Sequence, residues 1–598
     1  MVNQNQKKAI DAIKGPILVL AGPGSGKTFV LTNRIHNMVY NHNIDPENIL
    51  VITFTHKASV EMKERYEALS DSEKVKKDIP KFGTFHSVFY EILRENFGYN
   101  QNSLLTEKDR EKALVEVLEL IKNILQDISS EKRAKEKEEK YKPKYVSKAL
   151  YDEIRDRYEE KLFNMKKLDF HDMIDVCHKM LSAHKEVLSY YQEKYQYILI
   201  DEFQDINKSQ YDIVKLICKS KNIFVVGDDD QSIYKFRGSK PSIINDFKKD
   251  YPFHKMIALS QNYRCSKSIV RFSKRVIDEN KKRVKKDLVS ERDENGKIQI
   301  KSFVNNKDEN DYLIEKIRKK VSLGYDYKDI AILYRTNILA KTLIESLEKC
   351  NIPFEVKDYN KSFYDNMVVK DMLSYLKIID GSTDSEEYIN IINKPLRYVS
   401  RNAIGYKNTD IDKILSYYRD KNYILKYLIK LKNDIETMKK MHPTLAIRYI
   451  RQNIGYDIYL QEICKDKHID IEEMQNMLNE LEEMAIKCQN IKEFLTYVSK
   501  EEKNETYVGS FDEDRDAVKL MTFHSSKGLE FKDVIIIDCN DGLIPHKKSI
   551  KQNDIETERR LFYVACTRAK DNLDIYFTKE RYGKSYEPSR FIKEGLGE

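Results

Sequence analysis

Short, uniformly apolar runs alternate with segments whose apolar residues recur at helical spacing. "ILVLA" (17–21) leads into a glycine-rich turn and then "TFVLTNRIHNMV", and "ILVITFT" (49–55) precedes a second helical stretch. Strand, helix, strand, helix with apolar strands predicts a parallel sheet buried on both faces. From about 88 to 190 the chain turns to long, charged, helical segments, among them the run "SSEKRAKEKEEKYKPKY" (129–145), which reads as a solvated helix and turn. Strand signals return at "YILI" (197–200), "IFVVG" (223–227) and "MIALS" (256–260). A second set comprises "KIQIKSF" (297–303), "DIAILYR" (329–335), "VKLMTFHSSKGLEFKDVIIIDC" (518–539) and "NLDIYFT" (572–578), interrupted from roughly 378 to 510 by a block without strand signals. The expected fold class is α/β, with two parallel-sheet cores, each carrying a mainly helical insertion.

Composition narrows this picture only a little. A chain of 598 residues is too long for one core, and 41% hydrophobic residues suffice to build several. The net charge of +8 arises from 105 basic and 97 acidic residues, a balance mildly permissive of a polyanionic partner. Eight cysteines are scattered with no C-x-x-C pair, which argues against a disulfide framework or zinc ribbon and fits a reducing compartment. The N-terminus "MVNQNQKKAIDAIKG" has no apolar signal core, and no apolar run approaches a membrane span, so a cytoplasmic location and no membrane partner are expected.

Candidate chemistry begins at "AGPGSGKT" (21–28), which follows a strand and opens a helix. In that context Ala21, Gly22, Pro23, Gly24, Ser25 and Gly26 form a phosphate-cradling loop of backbone N–H groups. Lys27 reaches the β- and γ-phosphates and Thr28 offers a hydroxyl to Mg²⁺, so ATP and Mg²⁺ are the expected cofactors. "YILIDEFQD" (197–205) reads as the partner strand: Asp201 holds the magnesium directly or indirectly, and Glu202 orients or deprotonates the attacking water.

The loop "VGDDDQSIYKFRG" (226–238) mixes three aspartates, an amide, two aromatics and an arginine. Its carboxylates and amide suit a metal–phosphate site, and its aromatics beside Lys235 and Arg237 suit single-stranded nucleic acid. Gln231 can hydrogen-bond both a γ-phosphate and water, and so sense whether that phosphate is present. Positive charge on the transferring phosphoryl group can come from Arg264 in "LSQNYRCS" or Arg568 in "LFYVACTRAK".

Taken together, "VNQNQKKAI", "AGPGSGKT", "VITFTHKAS", "GTFHS", "ILIDEFQD", "VGDDDQSIYKFRG", "LSQNYRC", "KLMTFHSSKGLEF" and "ERRLFYVACTRAK" resemble, in order and rough spacing, the motifs of UvrD/Rep/PcrA-type superfamily 1A DNA helicases. The likeness runs from Gln6 to "RYGKSYEPSRFI". It implies two RecA-like domains with insertions: 1A over 1–87 and 191–265, 1B over 88–190, 2A over 266–377 and 511–598, and 2B over 378–510. It also implies that Gln6 reads the adenine edge and Tyr263 stacks on its face. Arg264 and Arg568 approach the γ-phosphate, Glu530 contacts the ribose, and Arg34 supports the same site.

On the nucleic-acid side the resemblance places Phe54, Thr55 and His56 of "TFTHK" against the strand, with His86 nearby. Tyr234 and Phe236 stack bases, and Arg237 pairs with phosphate or anchors the loop. Arg335 and Asn337 of "LYRTN", with His524 and Lys527 of "TFHSSKG", complete the track. Stacking tolerates any base, as a translocating motor requires. Gln231 on the nucleotide and Tyr234 and Phe236 on the bases would then let one loop couple hydrolysis to stepping.

Two motif positions depart from the family pattern: His56 stands where asparagine is usual, and Phe236 replaces the usual tryptophan in a chain with no tryptophan. The insertions read as short, and the chain ends soon after "PSRFI", so neither an extended C-terminal tail nor a fused nuclease is expected. The implied activity is ATP-dependent unwinding of DNA with 3′ to 5′ movement on single strands, in repair, replication or recombination. Expected partners are single-stranded DNA, junctions of single and double strands, and repair or replication proteins; the chain is expected to be a monomer or weak dimer. A translocase or nucleoprotein remodeller that needs a partner to unwind, and a P-loop ATPase unrelated to nucleic acid, are the alternatives. The motifs do not distinguish DNA from RNA.

Overall fold

The computed structural model describes residues 2–71, 77–104, 128, 131, 148–164, 167–168, 170–235, 239, 242–292, 296–357, 362–405, 408–467, 471–506, 511–551, 554–581 and 584–597. Most of the charge run at 129–145, and Phe236 and Arg237, lie outside the described residues.

Six strands build the first sheet: β1 (Ile17–Ala21), β2 (Ile49–Thr53), β3 (Lys81–Thr84), β4 (Tyr197–Ile200), β5 (Ile223–Gly227) and β6 (Lys255–Leu259). They run in parallel in the order β3-β2-β4-β5-β1-β6. A second parallel sheet contains β7 (Ile298–Phe303), β8 (Ile330–Tyr334), β9 (Phe354–Val356), β10 (Val518–Thr522), β11 (Phe531–Ile536) and β12 (Ala569–Thr578), ordered β9-β10-β8-β11-β12-β7. The α/β class with two parallel-sheet cores is the architecture that the apolar runs predict, and it matches the two RecA-like domains that the resemblance implies.

The apolar runs are continuous because both faces of each sheet are covered. In β1, Leu18 and Leu20 enter one core, with Leu50, Ile198 and Val225, while Ile17 and Val19 enter the other, with Ile49, Leu199 and Phe224. A fully buried aliphatic side chain contributes roughly 1.5–3 kcal/mol, so a charged residue at Val19 would abolish the strand. The second sheet divides in the same way, Leu333 and Ile536 on one face, Ile332 and Ile535 on the other. Edge strands β3 and β9 escape the pattern: one contains Gly83, and the other has only three residues.

A further core is built mainly of helices and runs from Phe363 to Val498. It takes in the helix Met367–Ile379, so side-chain packing becomes helical before residue 378. The helix Phe85–Phe97 likewise presses Val88, Phe89 and Ile92 into the core beneath the first sheet. No helix among the described residues is long and apolar enough to cross a membrane.

Candidate active site and nucleic-acid interface

Parallel strands deliver their following loops to one edge, and ligand sites of such sheets lie in that crevice. Here β1 delivers the phosphate loop, β4 delivers Asp201 and Glu202, β5 delivers Asp228 to Gln231, and β6 delivers Asn262 to Arg264. The second sheet faces this edge with the loops that precede β11 and β12. Glu530 and Arg568 stand there, and the Ser266 amide bonds the Lys570 carbonyl at 2.9 Å.

The phosphate loop depends on two left-handed glycines, Gly24 (φ +65) and Gly26 (φ +84). A Cβ at Gly24 would lie 2.6 Å from Arg264 Cβ, and one at Gly26 would lie 2.9 Å from Gln6 Nε2. Gly26 caps the helix Lys27–His36, which starts with Lys27 and Thr28 and directs its N-terminal amides at the loop. Ala21 ends β1; Ser25 Oγ donates to the Gly22 carbonyl at 2.7 Å.

Asn262, missed by the sequence reasoning, organises this clasp. Its side chain donates to the Pro23 carbonyl at 2.7 Å and accepts from the amides of Arg264 and Cys265 at 2.9 and 2.7 Å. An asparagine in "LSQNYRC" carries no pattern that marks it as buried. Gln6 is almost fully buried and donates to the Ser25 carbonyl at 3.1 Å; Tyr263 is exposed, and its hydroxyl accepts from Asn3 at 2.7 Å. Arg34 does not point into the loop. Its guanidinium lies 4.1 Å over the Phe224 ring and donates to the carbonyls of Ala9, Ala12 and Ile13, tying the segment that carries Gln6 to the phosphate-loop helix. Burial lowers that guanidinium to about 9.

At the end of β4, Glu202 adopts φ +50, a strained conformation for a non-glycine residue and one that clusters at functional sites. Lys27 Nζ stands 3.3 Å from its carboxylate and Lys527 Nζ 3.6 Å; Gln204 also donates to it. Burial alone would raise Glu202, but Lys27 and then Lys527 outweigh it and hold the carboxyl far below its ordinary value. Asp201 goes the other way, to about 7, because burial comes first and the Glu202 charge adds to it. Burial likewise takes Asp205 to about 6. Asp205 Oδ1 is buried and has no hydrogen-bond partner among the described residues. A carboxylate-rich site with an unsatisfied oxygen fits a magnesium ion, with Asp201 and the Thr28 hydroxyl as the residues that would hold it.

The three aspartates of the next loop are not that metal site. Their carboxylate oxygens lie within 4.8 Å of one another, a spacing a cation fits, yet the cation present is the Lys286 ammonium. It pairs with Asp228 and Asp229 and lies 3.0 Å from Asp230, while Arg283 grips Asp230 with two bonds of 2.9 and 2.6 Å. Three buried carboxylates need such partners, since an unpaired buried charge is very costly. The metal–phosphate reading of this loop is therefore corrected for the aspartates. For Gln231 the structure shows its amide donating to Asp228 at 2.6 Å. Arg283 and Lys286 were missed because "KKRVKKD" looks like any solvated basic run.

Arg264 and Arg568 face this site from the interdomain side. Arg264 Nε donates to Glu530 at 2.6 Å, and Lys570 pairs with the same carboxylate at 2.8 Å. Burial would raise Glu530, but Arg264 and Lys570 take it down to about 2. Arg568 is buried and donates to the carbonyls of Val564 and Leu529 and to the Thr567 hydroxyl. Burial first, and the neighbouring Arg264 second, lower Arg568 to about 9. Two crowded guanidinium groups, one with no carboxylate hydrogen bond among the described residues, suit an incoming phosphate.

Beside the chemistry runs a row of rings drawn from both sheets. Phe54 stacks on Tyr234 with centroids 5.1 Å apart and planes 22° apart, and His524 tilts against Tyr234 at 6.4 Å. Lys527, expected to touch the nucleic acid, turns inward instead. Its side chain is 9% exposed, and it donates to Asp205 and to the Gln231 carbonyl at 2.9 Å. Thr55 caps the helix His56–Ser70 by accepting from the Ala58 amide, and exposed His56 opens that helix. His86, half-buried, is the second residue of Phe85–Phe97. Arg335 makes a two-bond pair with Glu558 at 3.0 and 2.8 Å, and Asn337 starts the turn that follows.

Comparison with known proteins agrees with this geometry. Residues 2–252 match the UvrD/REP helicase N-terminal domain and residues 257–580 the UvrD-like helicase C-terminal domain. YjcD of Bacillus subtilis is 34% identical over 99% of this chain and 80% of its own length. The ATP-dependent DNA helicase PcrA of Staphylococcus epidermidis and that of Staphylococcus aureus are each 34% identical over 99% of this chain and 86% of their own. A phosphate loop, an Asp-Glu pair just after β4 and two arginines, one from each sheet, thus accompany full-length likeness, and the chain belongs to the UvrD/Rep helicase family.

Proposed function

We propose that this protein is an ATP-driven motor that moves 3′ to 5′ along single-stranded DNA and separates the strands of a duplex. Residues 1–87 and 191–265 would form one motor domain, 266–377 and 511–598 the other, with helical insertions at 88–190 and 378–510. The observation that carries this reading is the ring row Phe54, Tyr234 and His524, contributed by both sheets, with Tyr234 three residues beyond Gln231. The PcrA relatives are named ATP-dependent DNA helicases, which supports DNA as the substrate.

In this mechanism Gln6 and Tyr263 hold the base of ATP, the phosphate-loop amides and Lys27 hold its phosphates, and Glu530 holds the ribose. A magnesium ion at Thr28 and Asp201 would screen phosphate charge. Glu202, ionised at neutral pH between two ammonium groups, accepts a hydrogen bond from the attacking water and orients it. Gln231 reads the γ-phosphate. Arg264 and Arg568 stabilise charge that grows on the transferring group, the role that gives arginine fingers their effect.

Tyr234→Ala tests the nucleic-acid half. Loss of one stacking platform should weaken oligothymidylate binding by about 1–3 kcal/mol. Unchanged affinity, or hydrolysis that no oligonucleotide stimulates, would count against a nucleic-acid motor.

A further inference from the structure

Lys527 belongs to the loop that follows β10 of the second sheet, yet each strong contact of its ammonium lies in the first. It donates to Asp205 and to the backbone carbonyl of Gln231, the latter at 2.9 Å, and stands 3.6 Å from Glu202. The same ammonium lies 5.1 Å from the centroid of the Tyr234 ring, whose stacking partner is Phe54. One atom therefore touches the water-orienting carboxylate, the backbone of the phosphate-sensing residue and the central ring of the nucleic-acid row.

Placing a lysine there is costly on desolvation grounds, and a buried ion pair is weak evidence for stability. Its use is better sought in a contact that must break and re-form. Gln231 ends the short turn Asp229–Gln231, so a pull on its carbonyl is transmitted along three residues to Tyr234. Movement of the second sheet relative to the first must either take Lys527 off Glu202 and Asp205 or drag that backbone with it.

We propose that Lys527 is a positioning residue that couples the nucleotide site to the grip on the single strand, by bridging Asp205, Glu202 and the Gln231 carbonyl to Tyr234. This rests on the reading of the ring row as the single-strand platform. Lys527 acts through Gln231 and Tyr234, and neither a phosphate nor a base is its ligand. Coupling of this kind commonly changes affinity between nucleotide states by roughly 5- to 150-fold.

The test uses the full chain and measures oligothymidylate affinity with and without a non-hydrolysable ATP analogue, together with stimulation of hydrolysis by the same oligonucleotide. In the wild type the analogue shifts the affinity. In Lys527→Met that shift should fall by roughly tenfold, with affinity in the nucleotide-free state little changed. Asp205→Asn, which removes the contact from the other side, should give the same loss, the double variant no further loss, and Lys527→Arg partial recovery. A full shift in Lys527→Met or Asp205→Asn overturns the proposal. So does a uniform loss of binding in every nucleotide state, which is the mark of a direct phosphate contact. Failure of the wild type to bind or respond to oligothymidylate overturns the motor reading itself, an outcome separate from either of these.

Discussion

Arg264 donates from Nε to the Glu530 carboxylate at 2.6 Å, an ion pair that joins the segment after β6 to the loop before β11. Arg264, the more exposed of the two arginines, is thus held by a carboxylate of the second sheet's edge. A second bond, to the Thr567 carbonyl at 3.4 Å, holds it beside Arg568. On the motor reading proposed above, a γ-phosphate would draw Arg264 from Glu530, and the two crowded positive charges would favour that exchange.

Arg264→Ala should therefore lower kcat for ATP hydrolysis by about 10³-fold or more, with nucleotide affinity far less affected. Steady-state hydrolysis alongside nucleotide titration separates the two effects. An unchanged kcat would assign Arg264 to the Glu530 pair alone.

Lys286→Met should destabilise the fold by about 3–5 kcal/mol, because it leaves three buried carboxylates with Arg283 as their remaining cation. Urea unfolding followed by circular dichroism reads this directly. A loss below about 1 kcal/mol, the scale of an exposed pair, would contradict the burial assigned to the cluster.

Arg335→Ala separates a structural role from a nucleic-acid one. Burial would raise the Glu558 carboxyl, but Arg335 outweighs it and holds the group below its ordinary range. A depressed carboxyl adds stability that is complete above the unfolded value of about 4.3 and is lost as pH falls through the folded value. The variant should lose about 3–5 kcal/mol at neutral pH and show a flatter acid limb. Loss of oligonucleotide affinity with full stability would instead support a contact to the strand.

The apolar runs made most of the fold legible, since β1, β2 and β5 are buried throughout and β4 at all but its first residue. The strands β3 and β9 were not legible: a glycine-containing edge strand and a three-residue one carry no periodicity. Nucleotide-site residues were legible where they follow strands, because topology alone brings the ends of β1, β4 and β5 together. Partners that arrive from remote loops were not. Arg283 and Lys286 meet the aspartate loop only through tertiary packing, and the inward turn of Lys527 depends on acceptors more than 290 residues away in the chain; Asn262 follows β6, but its residue type carries no signal of burial.

Strand displacement on matched duplexes with either a 3′ or a 5′ single-stranded tail tests the central claim most directly. Glu202→Gln serves as the control that binds ATP without hydrolysing it. The account predicts ATP-dependent displacement from the 3′ tail alone, abolished in the variant. Displacement from the 5′ tail would contradict the polarity. Hydrolysis stimulated by single strands with displacement from neither tail would contradict unwinding by this chain on its own and leave a translocase that depends on a partner.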